Sequence, residues 1–204
     1  ADTRSLLAWS DGNYEFVTSD GIKREVKVEK TGSPVMINQK WEVSFPKGLG
    51  APEKISLPKL FSLHRHEDEG VKYFSGTATY KTNFVVKPSM MSEDRVVFLD
   101  LGAVEVMAEV IVNGVNKGIF SRPYLIDVTD VLKPGENTLE IKVTNQWTNR
   151  LIGDEQLPEE NEYVPGGGVN GIAALSRGAI RKLPDWYRNG VNKPEGGRVA
   201  FTTW

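Results

Sequence analysis

The sequence predicts an all-β fold built from many short antiparallel strands. Apolar and polar residues alternate over short segments, as they do in strands that have one buried face. Twenty glycines and eleven prolines are spread along the 204 residues and separate these segments. Asp20-Gly21 and Asn113-Gly114 stand between alternating segments, and such dipeptides are typical of tight hairpin turns. Short strands at this regular spacing predict a β-sandwich or a barrel.

Each strand is predicted from its own alternation of apolar and polar residues. In residues 41–45, for example, Trp41, Val43 and Phe45 would share one face. The segments that predict strands are residues 14–17, 25–29, 41–45, 73–86, 95–101, 104–120 (as a hairpin), 124–128 and 138–145. The predicted inward positions of the two longest strands are Ala78, Tyr80, Thr82 and Phe84, and Leu139, Ile141 and Val143.

Turn residues and glycine-rich stretches predict the connections between these strands. Reversals are expected at residues 19–21, 113–114, 116–118 and 133–137, and a brief helical turn at 127–130. Residues 46–58 predict an irregular, proline- and glycine-rich connection. Residues 146–204 are polar and glycine-rich, and predict an irregular segment with helical composition at 172–181 and a final strand at 198–204.

Composition and charge exclude several classes of function. The chain has a net charge of −2 and no basic stripe with interleaved aromatic residues, so a nucleic-acid partner is not expected. The absence of cysteine excludes disulfides, thiolate metal sites and a cysteine nucleophile. No apolar run approaches the ~18 residues that a membrane-spanning helix needs, so no membrane span is predicted.

Several motifs recur in one order along the chain. They are residues 72–80, 99–104, 110–114, 123–124, 127–129 and 132–137. In this order they resemble the sugar-binding-like domains of family 2 β-galactosidases and β-glucuronidases. Residues 143–154, together with 41–45, are similar to the C-terminal region of the large bacterial α-L-rhamnosidases of glycoside hydrolase family 106. The resemblance covers roughly residues 36–160.

The resemblance implies a galactose-binding-like jelly-roll sandwich that ends in an irregular glycine-rich segment. In that family the hydrolytic carboxylates lie on a separate (β/α)₈ barrel of about 250 residues, for which this chain has no room. The chain is therefore expected to be a non-catalytic accessory module of a glycoside hydrolase, with its parent's catalytic domain as partner and a plant-type oligosaccharide as a second contact. An autonomous carbohydrate-binding module and an independent glycosidase are the alternatives.

The same resemblance implies a periplasmic or extracellular location and no cofactor. Structural calcium, which galactose-binding-like domains often carry, stays open, although no spacing of the EF-hand type occurs. The predicted domain division is a hairpin at 1–31, interpreted also as the remnant of a preceding domain, a sandwich at 32–160, and an irregular segment at 161–204. Whether that last segment is truncated before a closing strand is left open.

Residues 145–154 are the most distinctive segment, because they combine amides, an aromatic ring and charged groups. Carbohydrate sites use an aromatic face for the C–H surface of the sugar and planar polar groups for its hydroxyls. The candidate carbohydrate-binding residues are Asn145, Trp147, Asn149, Arg150 and Asp154. The competing interpretation is structural, with Trp147 closing the end of the sandwich and Arg150 paired with Asp154 inside. It is favoured because Leu151-Ile152, between the charged partners, argues for burial.

Two acidic clusters are candidates for glycosidase chemistry, which needs two carboxylates about 5 to 9.5 Å apart. The clusters are Glu67-Asp68-Glu69 and the set Asp154, Glu155, Glu159 and Glu160. Both are expected to be solvated loops, because exposed carboxylates are common.

Two further groups of residues are weighed as sites. His64 and His66 would point the same way on a strand, near Glu67 and Asp68, as ligands of a transition metal. An ordinary loop is favoured, because the chain has only two histidines. The aromatic and polar residues 185–189 are expected to be either a functional loop or disordered.

Overall fold

The computed structural model describes residues 6–29, 31–156, 162–163, 180–182 and 185. Its paired strands are antiparallel and its helices are few and short, which confirms the predicted all-β fold class. The strands are β1 (Gly12–Val17), β2 (Lys23–Val28), β3 (Trp41–Ser44), β4 (Lys54–Leu57), β5 (Thr77–Val86), β6 (Phe98–Asp100), β7 (Met107–Val112), β8 (Val115–Phe120), β9 (Leu125–Asp127), β10 (Gly135–Thr144), β11 (Glu162–Tyr163) and β12 (Ile180–Lys182). The helices are α1 (Glu69–Lys72) and α2 (Thr148–Glu155), with 3₁₀ turns at Leu63–Arg65 and Pro88–Met90.

Two sheets of unequal size enclose one hydrophobic core. The large sheet has the strand order β4-β3-β5-β10-β7-β8, and β6 pairs with β9 in a small second sheet. Val43 and Val110 from the large sheet belong to the same buried cluster as Ile126 from the small one. The architecture is therefore a sandwich with one broad and one narrow layer.

The inner face of the large sheet follows the predicted alternation. Period-two alternation places every second side chain of a strand on the same face. Trp41, Val43 and Phe45 are all buried, as predicted for that strand. The other predicted inward positions are buried or half-buried: Ala78, Tyr80, Thr82, Phe84, Leu139, Ile141 and Val143.

Asn113-Gly114 forms the turn between β7 and β8, as predicted. Both residues have positive φ, 50° and 81°, a conformation that glycine adopts freely and asparagine tolerates. The Asn113 side chain donates to the Val131 carbonyl at 2.8 Å and accepts from the Thr138 amide at 2.9 Å. The turn is therefore tied to two neighbouring segments.

The second reversal predicted at residues 116–118 is wrong. Strand β8 runs through this segment, and its register with β7 shifts between Val110 and Ile111. Gly118, at φ 112°, lies at this irregularity. A glycine inside a strand often marks such a bulge rather than a turn, because it absorbs the extra residue.

Asn137 organises the predicted turn at residues 133–137. Its side chain is completely buried and donates to the carbonyls of Lys133 and Gly135 at 2.8 and 2.9 Å. Its amide oxygen accepts from Asn113 Nδ2 at 2.7 Å and from the Lys133 amide at 3.0 Å. One amide thus links this turn to the Asn113-Gly114 hairpin.

Strand β4 and helix α2 are among the elements that the sequence does not predict. Strand β4 lies inside residues 46–58, where proline and glycine predict an irregular connection. Helix α2 lies at the start of the region predicted to be irregular. It contains Gly153, and Trp147 at its N-cap makes no side-chain capping bond, so local propensity favours it weakly.

His64 and His66 do not lie on a strand, so that prediction is wrong. His64 lies in the 3₁₀ turn, and its Nδ1 is 2.7 Å from the hydroxyl of Ser62. His66 Nδ1 accepts from the Asp68 amide at 3.0 Å. Asp68 in turn caps α1 by accepting from the Val71 amide at 3.0 Å, so this polar run orders a short helix.

The N-terminal hairpin is a separate two-stranded sheet, β1 with β2, and its turn lies at the predicted Asp20-Gly21. Trp9 contacts the sandwich through the ring of Phe98, at 5.0 Å between centroids. The proposed division at residues 31 and 160 stays a prediction.

The C-terminal region is described only in part. Strand β11 pairs with β12, so residues 180–181 belong to a strand. The helical prediction for 172–181 rested on composition alone and is wrong at these two residues. The rest of that segment, residues 186–189 and the predicted strand 198–204 lie outside the described residues. Within the described chain, no helix is both long and apolar enough to cross a membrane.

Candidate functional site

Asn145 fastens the end of β10 to the segment that leads into β5. Its Nδ2 donates to the Phe74 carbonyl at 2.8 Å, and its Oδ1 accepts from the Gly76 amide at 2.8 Å. Its own amide donates to the Gly76 carbonyl at 3.1 Å. Because both ends of the side-chain amide are engaged, the clearest role of Asn145 is to hold these two segments together.

Helix α2 is attached to the same segment. The hydroxyl of Ser75 donates to the Gln146 carbonyl at 3.0 Å and accepts from the Arg150 amide at 3.2 Å. Arg150 Nη1 also donates to the Leu49 carbonyl at 3.3 Å. Three pieces of chain that are distant in sequence therefore meet beneath α2.

An ion pair lies on the inner side of α2. Arg150 Nε is 3.0 Å from Asp154 Oδ1, one helical turn away, and the Asp154 side chain is only 2% exposed. This is the internal pairing that the structural interpretation of the segment predicts. It also shows that Asp154 does not lie in a solvated loop, which corrects that prediction for this residue.

Glycines allow α2 and its neighbours to approach closely. A Cβ at Gly153 would lie 2.6 Å from the Cβ and Cγ of Tyr73, and a Cβ at Gly70 would lie 2.0 Å from the Gly50 carbonyl oxygen. Gln156 Nε2 donates to the Tyr73 hydroxyl at 2.9 Å. Steric exclusion thus explains glycine at positions where the backbone conformation alone does not demand it.

The α2 segment also has exposed side chains. Trp147 is 73% exposed, so it does not close the end of the sandwich. Gln146 and Thr148 are exposed and Asn149 is half-buried. Among the described residues, the side chains of these three polar residues have no hydrogen-bond partner. Two of the predicted carbohydrate-binding residues, Trp147 and Asn149, therefore remain accessible to a ligand, and the carbohydrate-binding role stays a prediction.

Leu151 and Ile152 are 38% and 51% exposed. The expectation that this apolar pair is buried is wrong. Arg150 and Asp154, four residues apart, share the face of the helix on which Arg150 also contacts the Leu49 carbonyl. Sequence reasoning missed this surface because it did not predict the helix.

The solvent face of the large sheet carries paired charges. Lys54 contacts Glu42 at 2.8 Å and Lys81 contacts Glu140 at 2.9 Å. Lys142 donates to Glu109 at 2.9 Å. This bond lowers the pKa of Glu109, with a further contribution from Asn116, and raises the pKa of Lys142. Cross-strand pairs of this kind stabilise a solvated sheet face.

Within the part of the chain that the structure describes, no group of three or more histidine and acidic side chains is arranged to hold a metal ion. Ser62 and the Asp68 amide engage one ring nitrogen each of His64 and His66. The calcium expectation stays open.

The fold and the sequence together define the family. Residues 58–187 match the family of glycosyl hydrolase 2 galactose-binding domain-like domains. This is more than half of the chain, and the chain belongs to that family.

Two relatives show the context of such a domain. A protein of Formosa agariphila described as "Putative beta-glucuronidase" is 38% identical over 194 residues, which are 95% of this chain and 16% of that protein. The structure of a rhamnosidase from Novosphingobium sp. PP1Y is 37% identical, with a TM-score of 0.59 over 78% of this chain and 14% of that one. The chain therefore spans about one sixth to one seventh of these relatives, and the matching region is a domain within each larger protein.

Proposed function

We propose that the chain is a non-catalytic accessory module of a polysaccharide-degrading glycoside hydrolase of the α-L-rhamnosidase type. The observation that carries the proposal is its similarity, at 37–38% identity, to a small part of two much larger proteins whose descriptions name glycosidases. The likeness of residues 143–154 to the C-terminal region of family 106 enzymes supports the rhamnosidase type. Its role is to pack against the catalytic domain and to shape the edge of the cleft.

The ion pair of α2 supports a non-catalytic role for Asp154. Its side chain is only 2% exposed and lies 3.0 Å from Arg150 Nε, so this carboxylate is engaged inside the molecule and does not face a substrate.

Two assays test this proposal. The 204-residue chain is expected not to hydrolyse aryl α-L-rhamnoside or aryl β-glucuronide. Deletion of this segment from the full-length parent is expected to lower its melting temperature by several degrees, because a docked module contributes to stability. Turnover by the chain alone, abolished by replacing one of its carboxylates, would support the independent glycosidase and sink the proposal.

The second candidate function, an autonomous carbohydrate-binding module, is favoured by the exposure of Trp147. Titration calorimetry with rhamnose- and galacturonate-containing oligosaccharides, with and without calcium, tests it. Saturable heat that is lost in Trp147→Ala and kept in Trp9→Ala is the expected result for this function. Trp9 is the matched control because it is also exposed, at 64%, but lies beside Phe98.

We expect the parent in the periplasm or outside the cell, where polysaccharides are degraded. Cell fractionation with an antibody against the chain tests this location, and recovery of the parent in the cytoplasm alone would contradict it.

A further inference from the structure

A polar groove lies on the solvent face of the large sheet, across β4, β3 and β5. Its volume is about 750 Å³ and it is open to solvent. Lys54 and Ser56 of β4, Glu42 of β3 and Lys81 of β5 line it, since alternate residues of paired strands share one face. Binding sites for small molecules have volumes of about 300–1,000 Å³, so the groove is large enough to hold a ligand.

Gln39 and Lys40 extend the groove past the start of β3. The hydroxyl of Thr82 donates to the Lys40 carbonyl at 3.0 Å, which holds this segment beside β5. Within the described part of the chain, the Lys40 ammonium has no ion-pair partner, and the side chains of Gln39 and Ser56 have no hydrogen-bond partner. The groove therefore offers an unpaired cation, an amide and a hydroxyl to a ligand.

The other two lysines of the groove are paired, but at exposed positions. Lys54 contacts Glu42 at 2.8 Å and Lys81 contacts Glu140 at 2.9 Å, and these lysine side chains are 59% and 53% exposed. Exposed pairs of this kind are weak, and each ammonium keeps donors that its carboxylate does not use. The charged side chains that line the groove are Lys40, Lys54, Lys81 and Glu42, so cations outnumber carboxylates in the lining.

The arrangement of these groups indicates which ligand fits. Lys54 pairs with Ser44, four residues from Lys40, so the two lysines lie about 13 Å apart along the strands, too far to hold one phosphate group. None of the described residues that line the groove is aromatic, whereas single-stranded nucleic acid is bound through stacked aromatic rings. Strand β3 is paired on both sides, so a peptide strand finds no free edge there.

We infer that this groove binds an acidic oligosaccharide and that Lys40 recognises the carboxylate of a uronate unit. The carboxylate accepts a charge-assisted hydrogen bond from the Lys40 ammonium, and sugar hydroxyls bond to Gln39 and Ser56. A neutral sugar would remove water from Lys40 without supplying a counter-charge, which costs free energy. The inference does not depend on the accessory role, because the 204-residue chain carries the whole groove, and it uses residues other than those of α2.

Titration calorimetry of the 204-residue chain with an oligogalacturonate, and with its carboxyl-reduced neutral form, tests this site. Saturable heat is expected with the acidic form only, and the affinity is expected to fall at higher ionic strength, because salt screens the ammonium groups. Lys40→Ala is expected to raise the dissociation constant at least about tenfold, because it removes a hydrogen bond between two charged groups.

Two controls separate this site from other surfaces of the chain. Lys87→Ala, at an exposed lysine outside the groove, and Trp147→Ala are both expected to leave the dissociation constant unchanged. Lys40→Ala is expected to keep the melting temperature of the chain, because Thr82 bonds the backbone carbonyl of residue 40 and not its side chain.

Each other outcome overturns the assignment. Binding that is lost in Trp147→Ala and kept in Lys40→Ala would place the acidic sugar on α2 instead. Equal affinity for the neutral form would show that Lys40 does not select a carboxylate, and equal affinity for an oligoglutamate of matched charge would show an unspecific anion surface. No saturable heat from the folded chain with either sugar would show that the groove does not bind it. The accessory role would stand in all of these cases, since deletion of the segment from the parent tests it separately.

Discussion

At the scale of single residues, the Arg150–Asp154 pair shows how far the sequence predicts the most distinctive segment. The spacing of four residues was visible in the sequence and predicted a pair. The sequence did not show that Asp154 is buried in a helix, because the position of that helix depends on Tyr73 and Ser75, more than seventy positions away. Sequence spacing therefore predicted the contact but not its environment.

Replacing Arg150 by alanine is expected to destabilise the chain by about 3 kcal/mol, because it breaks an ion pair with the buried Asp154 carboxylate. Denaturant unfolding followed by fluorescence measures the change. Arg122→Ala is the matched control, because its pair with Glu105 is about three-quarters exposed on both sides and contributes little. Equal effects of the two substitutions would show that the Arg150 pair is not buried in solution.

A second prediction at this scale concerns Tyr80. Burial raises the pKa of Tyr80 from 10 to about 12, because the phenolate loses its hydration. Between about pH 10 and 12 the unfolded chain releases this proton and the folded chain retains it. Stability is therefore unaffected by this group below pH 10 and falls above it, by up to roughly 2 to 3 kcal/mol.

The measurement for Tyr80 is the pH dependence of unfolding between pH 9 and 12, with Tyr80→Phe as the comparison. The phenylalanine variant should lose less stability over this range, because it has no proton to release. Parallel curves for the two proteins would contradict the raised pKa. Absorbance titration at 295 nm should show one tyrosine fewer with a late transition in the variant.

At the scale of elements, strand β4 and helix α2 show why local sequence predicted some pieces and missed others. Ile55 and Leu57 alternate with polar neighbours, but the surrounding prolines and glycines outweighed four residues of pattern. Pairing with β3 makes the strand, and that pairing is a tertiary contact. Helix α2 lacks a side-chain cap and contains glycine, so its contacts with Ser75 and Tyr73 stabilise it instead.

The turn around Asn137 offers a prediction for an element. Asn137→Ala removes four hydrogen bonds of a completely buried side chain and leaves partly buried backbone groups of Lys133 and Gly135 without these partners, so a loss of about 3 kcal/mol is expected. Chemical denaturation gives the value. Asn116→Ala, in the exposed part of β8, should change stability far less, and a similar loss there would contradict the special role of Asn137.

At the scale of the whole molecule, stability is expected to be unevenly distributed. Strands β5 and β10 have neighbours on both sides, whereas β1 and β2, among the strands that the structure describes, pair only with each other. An isolated two-stranded hairpin is marginally stable in water. Amides of β5 and β10 should therefore exchange at least about tenfold more slowly than those of β1 and β2. Equal protection of the hairpin would show that it is docked more firmly than its contacts in the structure indicate.

The sequence by itself determined the all-β class, the faces of the long strands and the Asn113-Gly114 hairpin. Each of these follows from local properties, namely period-two alternation and the backbone freedom of two turn residues. The ordered motifs also pointed to the galactose-binding-like family, which the family match of residues 58–187 confirms.

Only the tertiary structure decided the order of the strands, the existence of α2 and the exposure of its side chains. These features depend on contacts between segments far apart in sequence, such as Asn145 with Phe74 and Arg150 with Leu49. The same contacts decide that Asp154 is buried and Trp147 exposed, although both lie in one short segment. Periodicity in a sequence shows which residues share a face, but the packing of the chain decides whether that face is covered.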